Sequence, residues 1–364
     1  MPPQPSILSH TQGRAATDQL LTWYREHRRD LPWRREHRPY CVWISEIMAQ
    51  QTRITALLPY YQRFMEAFPT LEALAQADVD EVLRLWAGLG YYRRAHHLHQ
   101  AARLMVKNYE GKVPENYAQL CRLPGIGDYT ASAICSIAFG QPLIPIDGNI
   151  SRVFARLANC EIPVTRASFK QHAKEFLSPF IPPQASGDFA QALMELGSLV
   201  CLPKHPRCDA CPLTSCCQAR ATDRQQDLPV LARPKEFREE QWTVALIFDQ
   251  AGNILLRKRE KDLLKGLWEY YALEGWLKPP ELTGHLESHG LYPKRLVSLG
   301  RTSHAFSHLI WHMQGYACEV KECYPVPGYS FVPYEKLQQL ALPTALRFYT
   351  DWLSQNLPLS NKGP

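Results

Sequence analysis

The residues Leu123-Pro124-Gly125-Ile126-Gly127 stand between the segments AQLCR (118–122) and DYTASAICSIAFG (128–140). Both flanks have helical character, so the sequence predicts a glycine-containing hairpin between two helices. Glycine permits positive φ and close backbone approach, and the free N–H groups that open the second helix favour an anion. The segment therefore predicts a site for a phosphate, such as one of a DNA backbone. An ordinary Pro-Gly turn between packed helices would give the same short pattern.

Four cysteines near the middle of the chain, Cys201, Cys208, Cys211 and Cys217, have the spacing C-x6-C-x2-C-x5-C. One short loop of this kind can hold an iron-sulfur cluster in four thiolates, and we predict a [4Fe-4S] cluster here. Structural zinc is the alternative, although zinc loops usually carry two close C-x2-C pairs and only one is present. Cys216 stands beside Cys217, so spacing alone leaves the fourth ligand open between them.

Length and composition set the limits of the prediction. The chain has 364 residues, 45% of them hydrophobic, which is too long for one ordinary core and indicates two domains. Eleven cysteines, an odd number scattered along a long chain, favour a reducing compartment over a disulfide framework, and we expect a cytoplasmic protein. The N-terminal sequence has no signal-peptide pattern and no apolar run is long enough for a membrane span, so no membrane partner is expected. The net charge of +6 is mildly favourable for a polyanion.

The periodicity of apolar residues changes once along the chain. Residues 17–221 show apolar positions at intervals of three and four, which predicts an all-α domain that includes the cysteine loop 201–217, after an N-terminal tail over 1–16. Residues 222–240 are charged and contain proline, as in an interdomain linker. Residues 241–356 contain alternating stretches typical of strands and predict a smaller α+β domain, followed by a tail over 357–364.

The hairpin and the cysteine loop together resemble the iron-sulfur branch of the helix-hairpin-helix DNA glycosylases, and the resemblance covers nearly all of residues 17–220. Bifunctional glycosylase/lyases of that superfamily carry a nucleophilic lysine just after the hairpin, where this chain has Tyr129. The resemblance therefore implies a monofunctional hydrolase. The segments GDYTA (127–131), SEIMAQQT (45–52) and IDGN (146–149) are similar to the adenine DNA glycosylases of MutY type. That family implies an enzyme, expected to be monomeric, that excises adenine opposite 8-oxoguanine or guanine in duplex DNA.

Hydrolysis of an N-glycosidic bond needs a proton for the leaving base and a negative charge beside an oxocarbenium-like sugar, so two carboxyl groups in different protonation states are required. We predict Glu46 as the general acid and Asp147 as the anion. Gln50 and Arg53 would continue a polar stripe from Glu46, which could equally be a solvated helix face. Asp147 precedes a helix and could be only its N-cap, a position that should also depress its pKa.

The family resemblance implies further contacts. Tyr129 and Asn149 would support the sugar or the carboxylates through hydrogen bonds. Base flipping leaves a gap in the stack, and Gln51 and Tyr92 match family positions that intrude beside 8-oxoguanine. Packing is the ordinary role of an aromatic pair such as the one that contains Tyr92. The remaining DNA-contacting candidates are Leu123, Gly125 and Gly127 in the hairpin and, for the adenine pocket, Arg34 and Gln191.

The C-terminal segment GLWEY (266–270) and its alternating strands resemble the Nudix-related recognition domain of MutY enzymes. The glutamate cluster REx2EEx that would hold magnesium for pyrophosphate hydrolysis is missing from the sequence, which favours a reader of DNA over a catalyst. The loop HAFSH (304–308) matches the family loop that contacts 8-oxoguanine, with Phe306, Ser307 and His308 as candidates. Two other functions stay open: excision of thymine opposite guanine, and a non-catalytic DNA-binding cluster protein.

Overall fold

The computed structural model describes residues 10–231, 237–260 and 263–356. The chain divides into two compact units. The first unit contains residues 1–61, 68–75 and 100–233, and the second contains residues 62–67, 76–99 and 234–364. The short stretches 62–67 and 76–99 therefore group with the C-terminal unit, whereas the sequence predicted one domain over 17–221.

Helices occupy most of the chain before residue 222. They are α1 (His10–His27), α2 (Pro32–Arg35), α3 (Pro39–Ala49), α4 (Ile54–Ala67), α5 (Leu71–Gln76), α6 (Val79–Trp86), α7 (Arg93–Asn108), α8 (Tyr117–Leu120), α9 (Asp128–Phe139), α10 (Gly148–Leu157), α11 (Ala167–Leu177), α12 (Ser186–Leu199) and α13 (Gln218–Ala221). The predicted all-α region is confirmed. Helix α1 begins at His10, inside the stretch predicted as a tail, and residues 1–9 lie outside the described part.

The predicted hairpin connects α8 to α9. Gly125 has φ +76°, a conformation that L side chains rarely adopt, and Gly127 is the N-cap of α9. Leu123 is buried at the base of the turn, whereas Gly125 and Gly127 are exposed. The turn therefore presents its backbone to solvent while one apolar side chain fixes it to the core.

One core cluster of the first unit is formed mainly by α1, α10, α11 and α12. Phe154 on α10 packs edge-on against Phe169 and Phe176 of α11, with ring centroids 5.4 and 5.5 Å apart. Such aromatic contacts add about 0.5–1.5 kcal/mol per pair beyond area burial. This packing fixes α10, whose N-terminal end carries Asp147.

The second unit contains a mixed sheet of β1 (Arg238–Phe248), β2 (Ile254–Lys258), β3 (Trp268–Glu269), β4 (Tyr271–Glu274), β5 (Leu291–Ala305), β6 (Leu309–Cys323) and β7 (Ser330–Val332). The main order is β3-β2-β1-β6-β5; β4 pairs with β1, and β7 pairs with β2. Strands β1 and β6 run parallel, and the other pairs are antiparallel.

Alternation along β1 covers both faces of this sheet. Val244 and Leu246 join the core that includes helix α15 (Arg347–Asn356), whereas Ala245 and Ile247 join the core that includes helix α14 (Pro279–Ser288). The predicted α+β class of the C-terminal domain is confirmed. Within the described residues, none of the helices has the length and apolar character required to cross a bilayer.

The segment predicted as a linker is partly built into both units. Val164 N–H donates to the carbonyl of Val230, and Leu228 is buried, so residues before 232 pack on the first unit. Strand β1 already begins at Arg238. Residues 232–236 of the predicted linker and the predicted tail 357–364 lie outside the described residues.

Candidate active site

Glu46 and Tyr129 form the centre of the site. Glu46 lies on α3 and is 8% exposed, and Tyr129 stands in the first turn of α9, directly after the hairpin. The Tyr129 hydroxyl donates to Glu46 Oε2 over 2.6 Å. Gln50 Nε2 also donates to Thr130 Oγ1, over 3.2 Å, so two side-chain bonds join the α3 segment to α9.

The predicted polar stripe from Glu46 through Gln50 to Arg53 is wrong as a helix face. Helix α3 ends at Ala49, Gln50 is its C-cap, and Gln51 has φ +57°. The left-handed residue turns the chain before α4 begins at Ile54. Glu46 is consequently a buried residue facing α9 rather than part of a solvated face.

Burial is the main reason why the Glu46 pKa rises to about 7, and the negative charge of Asp147 adds to the effect. The Tyr129 hydrogen bond and the charge of Arg34 act in the opposite direction. A carboxyl group with this pKa is protonated in a large share of molecules near neutral pH. It can therefore donate a proton to a leaving group.

Asp147 is the N-cap of α10. Its Oδ1 accepts from the Ile150 N–H over 2.7 Å, and its Oδ2 accepts from Asn149 Nδ2 over 3.0 Å. The predicted depression of its pKa is wrong, because burial raises the pKa of Asp147 and outweighs these hydrogen bonds. The charges of both Glu46 and Asp147 raise the Tyr129 pKa further above its usual value, after the larger effect of burial. The structure thus brings these three side chains into one electrostatic neighbourhood.

Asn149 is held from two sides. Its Oδ1 accepts from the Arg152 guanidinium over 2.9 Å, and the same guanidinium nitrogen donates to the Gly197 carbonyl over 2.7 Å. A Cβ on Gly197 would lie 2.6 Å from the Asn149 Cβ, so only glycine permits this approach of α12 to α10. Arg152 Nε also donates to the Cys201 carbonyl over 2.7 Å. The start of the cysteine loop is therefore bonded to the network that orients Asp147.

Within the cysteine loop, Cys216 is an electrostatic neighbour of Cys217 but not of Cys201, Cys208 or Cys211. The pKa of the Cys211 thiol is raised to about 12, mainly by burial and also by Cys201, Cys217 and Cys208, which shows that these groups are neighbours. Cys216 instead lines an apolar cavity of about 30 Å³ among α1, α11 and α12. Among the described residues, no three His, Cys, Asp or Glu side chains are gathered as a site for one metal ion.

Arg34 and Gln191, the predicted adenine-pocket residues, both belong to buried parts of the first unit. Arg34 donates to both oxygens of Glu195, over 3.1 and 2.8 Å, and Gln191 lies one turn before Glu195 on α12. Arg29 binds the same carboxylate, over 2.9 and 2.7 Å. Burial opposes ionisation of Glu195, but hydrogen bonds from both arginines lower its pKa to about 2. Sequence reasoning missed Glu195, although an acidic residue within an apolar helix was a usable signal.

Tyr92, a predicted DNA contact, is a packing residue. It is 5% exposed, and its hydroxyl accepts from the Gly88 N–H over 3.2 Å. The neighbouring Tyr91 is 45% exposed, has φ +49° and makes a hydrogen bond with Ser307. In this aromatic pair, the ring of Tyr91 is therefore exposed and the ring of Tyr92 is buried.

The predicted loop 304–308 is the turn between β5 and β6. Phe306 packs against His304 and Trp311, with ring centroids 4.8 and 4.9 Å apart, whereas Ser307 and His308 are exposed at the tip. The Phe306 N–H donates to the Leu309 carbonyl over 2.7 Å, which closes the turn. The β5–β6 turn therefore exposes two polar side chains, and the packed ring of Phe306 supports them.

Two family models match successive parts of the chain. Residues 44–179 match the HhH-GPD superfamily of base excision DNA repair proteins, and residues 243–351 match the NUDIX domain. The first match contains Glu46, Tyr129, Asp147 and Asn149. The second contains the β5–β6 turn.

Similar proteins support the same conclusion. The chain is 32% identical to the adenine DNA glycosylase of Rattus norvegicus and 33% identical to that of Homo sapiens. Each alignment covers 90% of this chain, and 76% and 72% of those proteins. A thermostable thymine-DNA glycosylase of known structure aligns with 59% of this chain and 99% of its own, at 26% identity and a TM-score of 0.53. The chain therefore belongs to the adenine DNA glycosylase family of base excision repair enzymes.

Proposed function

We propose that this enzyme hydrolyses the N-glycosidic bond of adenine paired with 8-oxoguanine or guanine in duplex DNA, without lyase activity. The observation that supports it most directly is the Tyr129 to Glu46 hydrogen bond of 2.6 Å beside the N-capping Asp147. A carboxyl group that is easily protonated therefore lies in the electrostatic neighbourhood of a second one, Asp147, whose hydrogen-bond partners are different. Such a pair can serve proton transfer and charge stabilisation in one reaction.

Glu46 acts as the general acid in this mechanism. Its pKa of about 7 suits proton transfer near neutral pH, since an effective acid titrates near the working pH. The proton goes to a ring nitrogen of adenine as the bond between base and sugar breaks. Tyr129 holds Oε2 through its hydroxyl, which leaves Oε1 for the transferred proton. No amine occupies the position of Tyr129, so the route to a Schiff base has no nucleophile there.

Asp147 stabilises the oxocarbenium-like sugar in its ionised form. The Ile150 N–H and the Asn149 amide donate to separate oxygens of its carboxylate and fix its orientation. Because burial raises its pKa, the anion is lost at a higher pH than for an exposed aspartate. Water then attacks the sugar carbon, and a proton of that water returns to a carboxylate of the pair.

Base flipping requires contacts that hold the distorted duplex. We assign Gln51 to the gap that the flipped adenine leaves in the base stack. Its backbone is left-handed at the turn after α3, and its side chain is exposed there. Tyr91 replaces Tyr92 as the aromatic candidate. Gly125 and Gly127 contribute backbone N–H groups for a phosphate, and Leu123 supports the turn from below.

Recognition of the bases uses a separate set of residues. We assign Arg34 and Gln191 to the adenine pocket, where Glu195 fixes the orientation of the Arg34 guanidinium through two hydrogen bonds. In the second unit, Phe306, Ser307 and His308 form the contact to 8-oxoguanine. The Tyr91 to Ser307 hydrogen bond supports this assignment, because it joins the exposed aromatic ring to the tip of the β5–β6 turn.

Cys201, Cys208, Cys211 and Cys217 would hold a [4Fe-4S] cluster. The donor set fits, because it consists of thiols alone, on one loop, within reach of one another's charge. When bound, the cluster supplies an ordered loop and a redox centre. We further propose a monomeric enzyme in the cytoplasm, where a reducing environment keeps the thiols of such a loop available to a cluster.

A panel of duplexes tests the proposal. Strands carrying A opposite 8-oxoguanine, A opposite guanine and T opposite guanine are incubated with the enzyme and then treated with alkali to cleave abasic sites. Excision from the two adenine duplexes, with strand cleavage only after alkali, is expected. The similarity to a thymine-DNA glycosylase keeps thymine excision as the second candidate. Cleavage without alkali, or excision of thymine alone, would contradict the proposal, and DNA binding with no excision would indicate a binding protein.

A further inference from the structure

Arg156, on the third turn of α10, is buried against the cysteine loop with 2% of its surface exposed. Its guanidinium makes four hydrogen bonds, all with the loop or the segment that follows it. The acceptors are the carbonyl oxygens of Leu228 at 3.0 Å, Leu202 at 2.7 Å and Pro203 at 3.1 Å, and the Sγ atom of Cys201 at 3.2 Å.

A buried guanidinium is costly unless a negative charge compensates it. Across residues 10–231, 237–260 and 263–356, no carboxylate lies within ion-pair distance of Arg156. Three of its acceptors are neutral carbonyls. The Cys201 sulfur is the acceptor that carries negative charge when it is a metal-bound thiolate.

Arg152, one turn earlier on α10, makes a different contact. It reaches the backbone carbonyl of Cys201 and not the sulfur. Arg156 therefore donates a hydrogen bond to the thiol itself, whereas Arg152 donates to the backbone of Cys201 and interacts with the thiol only through its charge.

We propose that Arg156 is a positioning residue that compensates the charge of the Cys201 thiolate and raises the reduction potential of the cluster. The inference rests on the cluster of the proposed function. One-electron reduction adds negative charge to the cluster, and a fixed cation that donates to a ligand sulfur stabilises the reduced state more than the oxidised state. The low local dielectric strengthens this effect compared with an exposed cation.

The test compares Arg156→Gln with Arg220→Gln by voltammetry of the adsorbed full-length protein, together with iron and sulfide analysis. Arg220 is a matched control, because it lies on the helix that follows the cysteine loop, but its side chain is 42% exposed and pairs with Asp209 at 3.5 Å, so solvent and a carboxylate screen its charge. We expect the midpoint potential of the cluster to shift to more negative values in Arg156→Gln. The potential of Arg220→Gln should match that of the unchanged protein.

Equal potentials in Arg156→Gln and the unchanged protein would overturn the inference, and so would an equal shift in Arg220→Gln. Loss of the cluster from Arg156→Gln with retained helical circular dichroism supports charge compensation. If Arg156→Gln does not fold, Arg156→Lys decides, because the retained charge should give a smaller negative shift, and an unshifted potential would contradict a role for the sulfur contact. Zinc or no metal in the unchanged protein would instead refute the cluster itself.

Discussion

The Tyr129 hydroxyl lies 2.6 Å from Glu46 Oε2, and this contact joins the helix after the hairpin to a carboxyl group buried on another helix. Burial alone would raise the Glu46 pKa further, and the Tyr129 hydrogen bond keeps it at about 7. In the proposed mechanism, Tyr129 positions the acid and lowers the pH at which the acid loses its proton. The helix after the hairpin would thus contribute to the chemistry, in addition to the phosphate contact proposed for the hairpin.

Glu46→Gln and Asp147→Asn should each retain DNA binding and abolish detectable excision. The first removes a transferable proton, an effect of about 10²- to 10⁴-fold, and the second removes the negative charge beside the sugar. Single-turnover excision of adenine opposite 8-oxoguanine measures both, with affinity for the same duplex as the control for folding. Near-normal turnover in either variant would remove that residue from the mechanism.

The rate of excision should fall as pH rises through about 7. Glu46 must be protonated to act as an acid, and its raised pKa means that protonation is lost in that range. In Tyr129→Phe the hydrogen bond that lowers the Glu46 pKa is lost, so this decline should move to higher pH. Single-turnover rates between pH 5 and 9 test the shift, using intervals of about half a unit. An unchanged alkaline limb in Tyr129→Phe would show that another group titrates.

Tyr91→Ala should mainly affect DNA affinity, whereas Tyr92→Ala should mainly affect the stability of the fold. Removing the exposed Tyr91 should weaken binding to the 8-oxoguanine duplex, with a stacking loss of about 1–3 kcal/mol, and leave the melting temperature nearly unchanged. Removing the buried Tyr92 should instead reduce the free energy of unfolding by about 3–5 kcal/mol. Thermal melts and duplex titrations separate the two effects. A stable Tyr92→Ala protein with selectively weakened DNA binding would restore Tyr92 as the contact.

Gly197→Ala should lower excision by displacing Asn149. The new methyl would lie 2.6 Å from the Asn149 Cβ, so α10 or α12 must shift at a cost of about 1–3 kcal/mol. Gly284→Ala on α14 is the control, because a Cβ there meets no atom within 4 Å. That change should leave excision unaltered and stabilise the helix by about 0.5–1 kcal/mol. Normal excision in Gly197→Ala would mean that Asn149 tolerates displacement.

Cys217→Ser should lose iron, whereas Cys216→Ser should keep it. Cys217 is an electrostatic neighbour of Cys201 and Cys208, and Cys216 faces the apolar cavity. Iron and sulfide per protein, with the visible absorption of the cluster, measure the difference. The reverse result would assign Cys216 as the fourth ligand.

Patterns in the sequence predicted the architecture and named most of the candidate site residues. Three of these patterns are local: the hairpin at 123–127, the thiol spacing, and the change from helical to alternating periodicity. They can be recognised without knowledge of contacts between residues far apart in the chain. Glu46 and Asp147 could be predicted from the family resemblance and from the chemistry of the N-glycosidic bond. The burial and the pKa shifts of their carboxyl groups could not be predicted in this way.

The burial and the electrostatic surroundings of each residue depend on tertiary packing. The Asp147 pKa is raised and not lowered, because residues distant in sequence remove water from it more effectively than its helix cap stabilises the charge. Tyr91 and Tyr92 are adjacent and chemically identical, and only packing distinguishes the exposed ring from the buried one. Burial and charge depend on groups far apart along the chain, so no local pattern specifies them.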